Sequence, residues 1–206
     1  MVLCLIYSHS TAIMTWRFAL AYGSSFLNRL FFRGATLQCG ALPKEVQRVD
    51  MGTINPEYLQ MVMQQVNQSP YFQLLSMEIV EMGIGECLVE IQLQEKHLQP
   101  FGVVHGGEFS TIIDAATFWA VYAEIPEEAG MTSVDLKVDY LAAATAPGKL
   151  IARGRRVKIG KTLGLGVAEV MNDEGKIVAH GTSALMVLHA ASLTNQHIFP
   201  PKFIDG

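Results

Sequence analysis

The sequence predicts an α+β domain in which an antiparallel sheet of about five to six strands wraps one long central helix. Residues 110–123 are apolar on every side at helical spacing, which indicates a helix enclosed by protein. Six extended stretches, two before this helix and four after it, are bounded by turn residues and have the length of strands. Short connections between them favour antiparallel pairing into a single sheet that can bury the helix.

The remaining elements are predicted in chain order from local signals. A short helix is expected from Pro56 to about Asn67, because Asn55 is a favourable N-cap residue and Pro56 suits the first helical position. The central helix follows two strands and precedes the other four. The strands are predicted at residues 76–82, 86–94, 131–142, 148–159, 162–171 and 176–188.

The strand at 131–142 alternates between apolar and polar side chains, which is typical of a strand with one buried face. The alternation therefore predicts one set of side chains that points inward and another that points to solvent. The inward set is Val134, Leu136, Val138 and Tyr140, and the outward set is Ser133, Asp135, Lys137 and Asp139.

The composition limits the classes of function that are open to the chain. It has 206 residues, of which 50% are hydrophobic, enough for one domain with a sizeable core. Its formal net charge of -4 gives no basic excess that would attract a nucleic-acid backbone. The 3 cysteines lack a CxxC spacing, so neither a disulfide framework nor a metal site is indicated, and a reducing compartment such as the cytoplasm is expected.

The chain divides into four parts. They are an N-terminal extension at 1–50, a helical segment at 51–73, the sheet-and-helix domain at 74–189 and an unassigned tail at 190–206. The extension is basic and free of acidic residues over its first ~43 positions, as in an organellar transit peptide, which would place the protein in an organellar matrix. The favoured alternative is that translation begins at Met51, directly before the first helix. Arg17 interrupts the best apolar window, so no stable membrane insertion is expected.

One carboxylate stands out within the central helix. Asp114 is the only ionisable side chain between Ser110 and Tyr122. A carboxylate among apolar side chains costs several kcal/mol unless it is hydrogen-bonded, paired or neutralised. Asp114 is therefore a candidate catalytic acid or base, and the structural alternative requires a hydrogen-bonding partner.

The start of the same helix offers hydrogen-bond donors. His105, Gly106 and Gly107 precede the apolar run, and a helix N-terminus presents unpaired N–H groups with a partial positive charge. Such donors can stabilise the oxyanion that forms when a carbonyl group is attacked. His105 could act as a general base, but the favoured interpretation is that it hydrogen-bonds the backbone and shapes the loop.

These residues resemble the PaaI-like family of hotdog-fold acyl-CoA thioesterases. The matching blocks are Pro100–Gly107, Asp114, Thr132–Leu136 and Val157–Thr162, within a resemblance that covers about residues 70–188. The resemblance implies a hotdog fold and the hydrolysis of acyl-CoA thioesters to free acid and CoA. The alternative is a non-catalytic acyl-CoA-binding module of the same fold, against which the presence of Asp114 and Ser133 argues.

The resemblance also implies a role for each catalytic position. The Gly106 N–H forms the oxyanion hole beside His105, Asp114 activates water or attacks directly, and Ser133 holds the water or the carboxylate. Gln99 stands where many family members have Asn, and it keeps the amide group on a side chain that is one methylene longer.

Further residues are expected to bind the substrate. Gly107 lies next to the oxyanion donor, and Phe101 and Phe118 are expected to line the acyl pocket. The basic cluster around Arg156, Lys158 and Lys161 is either a solvated face or a contact for the CoA phosphates. Coenzyme A is then part of the substrate, so neither a separate cofactor nor a metal is expected.

The spacing of the catalytic residues predicts a site that is shared between subunits. The eight residues from Gly106 to Asp114 span about 12 Å along a helix and turn by roughly 80°. One chain can hardly bring both residues to the same carbonyl group. The family's solution is a dimer in which Gly106 of one subunit faces Asp114 and Ser133 of the other, so a homodimer or a dimer of dimers is expected.

Overall fold

The computed structural model of the chain describes residues 53–189, 193 and 198–204. The predicted N-terminal extension, residues 1–50, lies outside this part of the chain. The helices are α1 (Pro56–Asn67), α2 (Pro70–Leu74) and α3 (Gly106–Tyr122). The strands are β1 (Thr53–Ile54), β2 (Met77–Gly83), β3 (Glu86–Leu93), β4 (Gly130–Tyr140), β5 (Gly148–Ile159), β6 (Leu163–Asn172), β7 (Ile177–Leu188) and β8 (Phe203–Ile204).

The six longer strands form one antiparallel sheet, which confirms the predicted α+β layout. Their order across the sheet is β2-β3-β5-β6-β7-β4. Each pairing within the sheet is antiparallel. Strand β4 pairs only with β7 among the described strands, so an edge of 11 residues is left open. Within the described ranges, none of the helices is long and apolar enough to cross a bilayer.

Helix α3 packs against one face of this sheet with very little space between the two backbones. A methyl group built on Gly154 of β5 would overlap the carbonyl oxygen of Ala116, far inside van der Waals contact. Three further sheet glycines meet α3 side chains in the same way. They are Gly164 against Val121, Gly166 against Thr117 and Gly181 against Ile113. The absence of side chains at these four glycines therefore determines how closely α3 approaches the sheet.

The described chain encloses α3 except along one face. Most of its side chains are buried, but a stripe along one face is partly exposed. The stripe consists of Gly107, Ser110, Thr111, Asp114 and Phe118, which lie three or four residues apart and so share one face. The sheet packs against the rest of the helix surface, Tyr58 of α1 meets its C-terminal end, and the stripe is left partly exposed.

The predicted alternation of β4 is wrong at its start. The pairing with β7 shifts by one residue between Ser133 and Asp135, which is a β-bulge at Val134. Ser133 lies opposite buried Leu185 and therefore faces the helix, whereas Val134 is exposed. Beyond the bulge, Tyr140 faces the helix side as predicted, since it contacts α3.

The N-terminal helix and the C-terminal residues close one end of the domain. The Asn55 side chain accepts a hydrogen bond from the Glu57 N–H at 3.0 Å, so the predicted cap of α1 is confirmed. Tyr58 of α1 is fully buried, and its hydroxyl lies 2.9 Å from that of Tyr122 at the end of α3. Strand β8, which lies in the tail left unassigned from the sequence, pairs with β1.

Lys202 is a fully buried lysine at this closed end. Its Nζ donates hydrogen bonds to the carbonyl oxygens of Tyr122 at 2.7 Å and Ile125 at 2.9 Å, and it lies 4.2 Å from the centre of the Tyr122 ring. A cation beside the last carbonyls of a helix is favourable because those groups have no partner within the helix. Lys202 thus joins the C-terminal residues to the end of α3.

The first prediction concerns the contact between Gly154 and Ala116. Replacement of Gly154 by Ala should lower the free energy of unfolding by about 3 kcal/mol or more, because the backbone carbonyl it meets cannot move aside easily. Gly83→Ala is the matched control, since nothing lies within 4 Å of a methyl group there. Urea unfolding of both variants measures the difference, and equal stability of the two would contradict the close packing.

The second prediction concerns the pH dependence of stability. Burial lowers the pKa of the Lys202 ammonium from 10.5 to about 7, and the charge of Glu127 opposes this only in part. Above pH 7 the unfolded chain then holds a proton that the folded chain has released, so the free energy of unfolding should rise with pH from about 7 to the unfolded value of 10.5. Lys202→Met should remove this contribution in denaturant titrations across that range. An unchanged slope would show that Lys202 titrates normally.

Candidate active site

The carboxylate of Asp114 lies on the partly exposed stripe of α3 and is held by β4. The Ser133 hydroxyl donates a hydrogen bond to Asp114 Oδ1 at 2.6 Å. Among the described residues no other group bonds the Asp114 side chain, so Oδ2 is open to the stripe. The bulge at Val134 makes this contact possible, because it turns Ser133 toward the helix.

The N-terminus of α3 is capped by His105. Its Nδ1 accepts a hydrogen bond from the Gly107 N–H at 2.9 Å, and its carbonyl oxygen accepts one from the Glu108 N–H at 3.0 Å. An acceptor at Nδ1 means that the neutral ring carries its proton on Nε2. The predicted contact of His105 with the backbone is confirmed.

The Gly106 N–H differs from its two neighbours in the first turn. It has no acceptor among the described residues, whereas the N–H groups of Gly107 and Glu108 are bonded to His105. An unpaired N–H at a helix N-terminus is a donor for a negatively polarised oxygen. The geometry thus leaves Gly106 as the available donor of the first turn, while the Gly107 N–H, predicted to bind substrate, is taken by the cap.

The loop before α3 is held by His97. This buried ring accepts a hydrogen bond from the Gln94 N–H at 2.8 Å and lies 2.9 Å from the Leu75 carbonyl oxygen. The His97 carbonyl oxygen in turn accepts from the His105 N–H at 2.8 Å. Gln99 is partly buried in this loop, and its side-chain amide has no hydrogen bond among the described residues, so its predicted contact with substrate stays a prediction.

Glu108 is a second acid near the start of α3. One carboxylate oxygen, Oε2, is buried and has no hydrogen-bond partner among the described residues. Burial raises the pKa of this carboxyl, and the nearby His97, His105 and Lys96 oppose that rise. These neighbours belong to the loop before α3, so Glu108 faces that loop rather than the stripe that carries Asp114.

The structure does not bring the two predicted catalytic groups together within one chain. Gly106 and Asp114 lie on the same regular helix, α3. Their eight-residue separation therefore corresponds to about 12 Å along the axis. One carbonyl group cannot contact both the Gly106 N–H and the Asp114 carboxylate of a single subunit.

The predicted acyl-binding residues lie in different surroundings. Phe101 is 87% exposed and lies at the surface of the described chain. Phe118 lies on the open stripe one turn after Asp114, where it stacks on Tyr122 and meets Trp119 edge-on at 5.0 Å. An aromatic cluster therefore borders the stripe at its C-terminal end.

The basic residues predicted to bind phosphates are of two kinds. Lys158 and Lys161 are exposed, and Lys158 lies opposite Leu165 on the outer face of the sheet. Arg156 is mostly buried, and its Nε donates to Glu124 at 2.5 Å. The two lysines are thus free to meet an anion from solvent, whereas Arg156 is already engaged within the domain.

Sequence reasoning missed one residue beside the candidate donor. Tyr140 of β4 packs its ring edge-on against Phe109, and its hydroxyl lies 3.0 Å from Ser110 Oγ. A methyl group built on Gly106 would lie 3.4 Å from the Tyr140 hydroxyl oxygen. The alternation predicted that Tyr140 points inward, but it gave no sign that Tyr140 and Ser133 share a face.

Comparisons with known proteins agree with this architecture. The family model that describes the thioesterase superfamily matches residues 101–179. An esterase-named protein of Halobacterium salinarum is 34% identical over 110 residues, which cover 51% of this chain and 70% of that protein. Human acyl-coenzyme A thioesterase 13 is 27% identical over 104 residues, 50% of this chain and 74% of its own length.

Two further comparisons concern coverage and fold. An esterase-named protein of Caenorhabditis elegans is 31% identical over 110 residues, which are 53% of this chain but only 64% of that protein. The PaaI protein of the E. coli phenylacetic acid degradation operon superposes with a TM-score of 0.62 at 18% identity, over 68% of this chain and all of that one. The predicted hotdog fold is confirmed. The chain belongs to the thioesterase superfamily.

Proposed function

We propose that the protein hydrolyses acyl-CoA thioesters to the free acid and CoA. The observation that carries this proposal is the Asp114 carboxylate, oriented by Ser133 at 2.6 Å on an otherwise apolar helix and open at Oδ2. A fixed carboxylate with one free oxygen can deprotonate water or attack a carbonyl carbon. The similarity to human acyl-coenzyme A thioesterase 13 supports acyl-CoA as the substrate class.

The chemistry assigned to each group follows from its geometry. The thioester oxygen accepts a hydrogen bond from the Gly106 N–H, where the partial positive charge of α3 stabilises the developing oxyanion. Asp114 either takes a proton from the attacking water or forms a transient anhydride with the acyl group. In the first case water adds to the carbonyl carbon and the CoA thiolate leaves. In the second the thiolate leaves as the anhydride forms, and water then hydrolyses the anhydride to the free acid and the Asp114 carboxylate. Lys158 and Lys161 are available for the CoA phosphates.

The proposed active unit is a homodimer formed through β4, or a dimer of such dimers. This edge strand is open along its length and exposes Val134 and Leu136, a surface that invites pairing with a second strand. Ser133 lies on the same strand, so two subunits joined here have their Asp114 carboxylates near the interface. Gly106 of one subunit can then face Asp114 of its partner across the two-fold axis.

The proposed location of this reaction is the cytoplasm, since three cysteines without a disulfide pattern suit a reducing compartment. An organellar matrix is the location if residues 1–50 act as a transit peptide.

The third prediction tests the role of Asp114. Asp114→Asn should lower kcat for acyl-CoA hydrolysis by about a hundredfold or more, because the amide cannot accept a proton or act as a nucleophile. The amide oxygen can still accept from Ser133, so folding and oligomeric state should be unchanged. A panel of acyl-CoA thioesters, assayed with a thiol reagent, measures the rate. A correctly folded Asn variant that retains the wild-type rate would overturn the assignment.

The fourth prediction tests the shared site by subunit complementation. Gly106→Pro removes the N–H donor and keeps the start of the helix, because proline suits the first helical position and His105 before it has φ -66 and ψ 139. Heterodimers of this variant with Asp114→Asn contain one intact site if Gly106 and Asp114 act across the interface. The two variants are expressed in one strain with different tags, and the heterodimers are purified through both tags. These heterodimers should show about half of the wild-type activity, well above that of either variant alone. Inactive heterodimers would place each site within one chain.

A further inference from the structure

A pair of hydroxyl groups lies beside the proposed oxyanion donor and is not used by the mechanism above. Tyr140 is 59% exposed, and its phenol lies over the first turn of α3, against Gly106. Its hydroxyl is 3.0 Å from Ser110 Oγ, and the Ser110 hydroxyl donates to the Gly106 carbonyl oxygen at 3.2 Å. The phenol is thus fixed in position although it lies at the surface.

The direction of these hydrogen bonds can be worked out from the number of protons. A serine hydroxyl has one proton, and that of Ser110 goes to the Gly106 carbonyl oxygen. With the Ser110 proton on that carbonyl oxygen, the proton between the two hydroxyls comes from Tyr140. The phenol oxygen keeps its lone pairs, so toward the solvent it offers an acceptor rather than a donor.

An acceptor at this position matches one chemical group of the proposed substrate. In every acyl-CoA the thioester sulfur is followed by two methylenes and an amide N–H. With the thioester oxygen on the Gly106 N–H, the amide of that arm comes within reach of the Tyr140 phenol, which packs against Gly106. An ordinary acyl chain carries no donor at a similar distance.

We propose that the Tyr140–Ser110 hydroxyl pair binds the amide N–H of the CoA arm nearest the sulfur. This inference rests on the proposed thioesterase function and adds a determinant of specificity on the leaving-group side. Tyr140 then selects thioesters of cysteamine amides over other thioesters with the same acyl group. Ser110 acts as the positioning residue, since it orients the phenol.

Two small substrates that differ in one atom test the proposal. Both carry the same acyl group, one as its thioester with N-acetylcysteamine and the other with O-acetyl-2-mercaptoethanol, in which an ester oxygen replaces the amide N–H. The wild-type dimer should favour the amide by about five- to tenfold in kcat/KM, the effect of one neutral hydrogen bond. Tyr140→Phe should reduce this ratio to about one.

The chain provides a matched control in Tyr71→Phe. Tyr71 is 55% exposed, and its hydroxyl makes a similar pair with Thr111 Oγ1 at 3.1 Å on the next residue of α3. Removal of the Tyr71 hydroxyl should leave the amide preference unchanged, because this hydroxyl pair does not contact Gly106.

Three outcomes would overturn the inference, and they differ from failure of the proposed function. The first is a wild-type protein that hydrolyses both small thioesters equally. The second is a Tyr140→Phe variant that keeps the preference, including one that loses activity on both substrates to the same extent. The third is a Tyr71→Phe variant that loses the preference as Tyr140→Phe does. If the wild-type protein hydrolyses no acyl-CoA at all, the proposed function fails and this inference fails with it.

Discussion

The backbone of α3 lies directly against glycines of the sheet, and the positions of the site residues follow from that contact. Gly154 leaves no space for a side chain beside the Ala116 carbonyl oxygen, and three more glycines meet the helix along its length. A helix so close to the sheet brings Asp114 within 2.6 Å of a serine, whose side chain is short. With ordinary side chains in between, a serine on β4 would not reach the helix.

The same contact explains why the helix has an open side. The sheet can approach α3 closely only on the face where its own residues are small, and α1 meets the C-terminal end of the helix through Tyr58. The side chains of Ser110, Asp114 and Phe118 lie on the side that neither covers. The proposed chemistry uses this open stripe, and a partner subunit at the edge strand β4 would enclose it. Packing and function are therefore linked through one helix.

The sequence was sufficient wherever the signal is local. Asn55 and Pro56 identify the start of α1 because capping involves only neighbouring residues, and the strand ends differ from the predictions by a few residues at most. Asp114 and Gly106 stand out because a lone carboxylate in an apolar run and a glycine at a helix start are unusual in themselves. The hotdog fold follows from those elements together with the family resemblance.

Other features depend on contacts that a linear pattern does not contain. The pairing of β1 with β8 joins residues about 150 positions apart, for example Thr53 with Ile204, and two-residue strands have no periodicity to detect. Lys202 would be expected at the surface, and only the carbonyl oxygens at the end of α3 explain its burial. The sequence pattern could not predict that Ser133 and Tyr140 both contact α3. These two residues lie an odd number of positions apart, and strict alternation assigns such residues to opposite faces of a strand.

The bulge at Val134 divides β4 into two parts whose side chains alternate in opposite order. Before the bulge the odd-numbered residues face the helix, and after it the even-numbered residues do. Ser133 and Tyr140 therefore meet the same helix, although strict alternation would place them on opposite faces. Loss or gain of a single residue here would invert the side-chain alternation of every residue on one side of the bulge, so it would turn either Ser133 or Tyr140 out to solvent. The position of this one extra residue therefore determines whether both side chains meet the same helix.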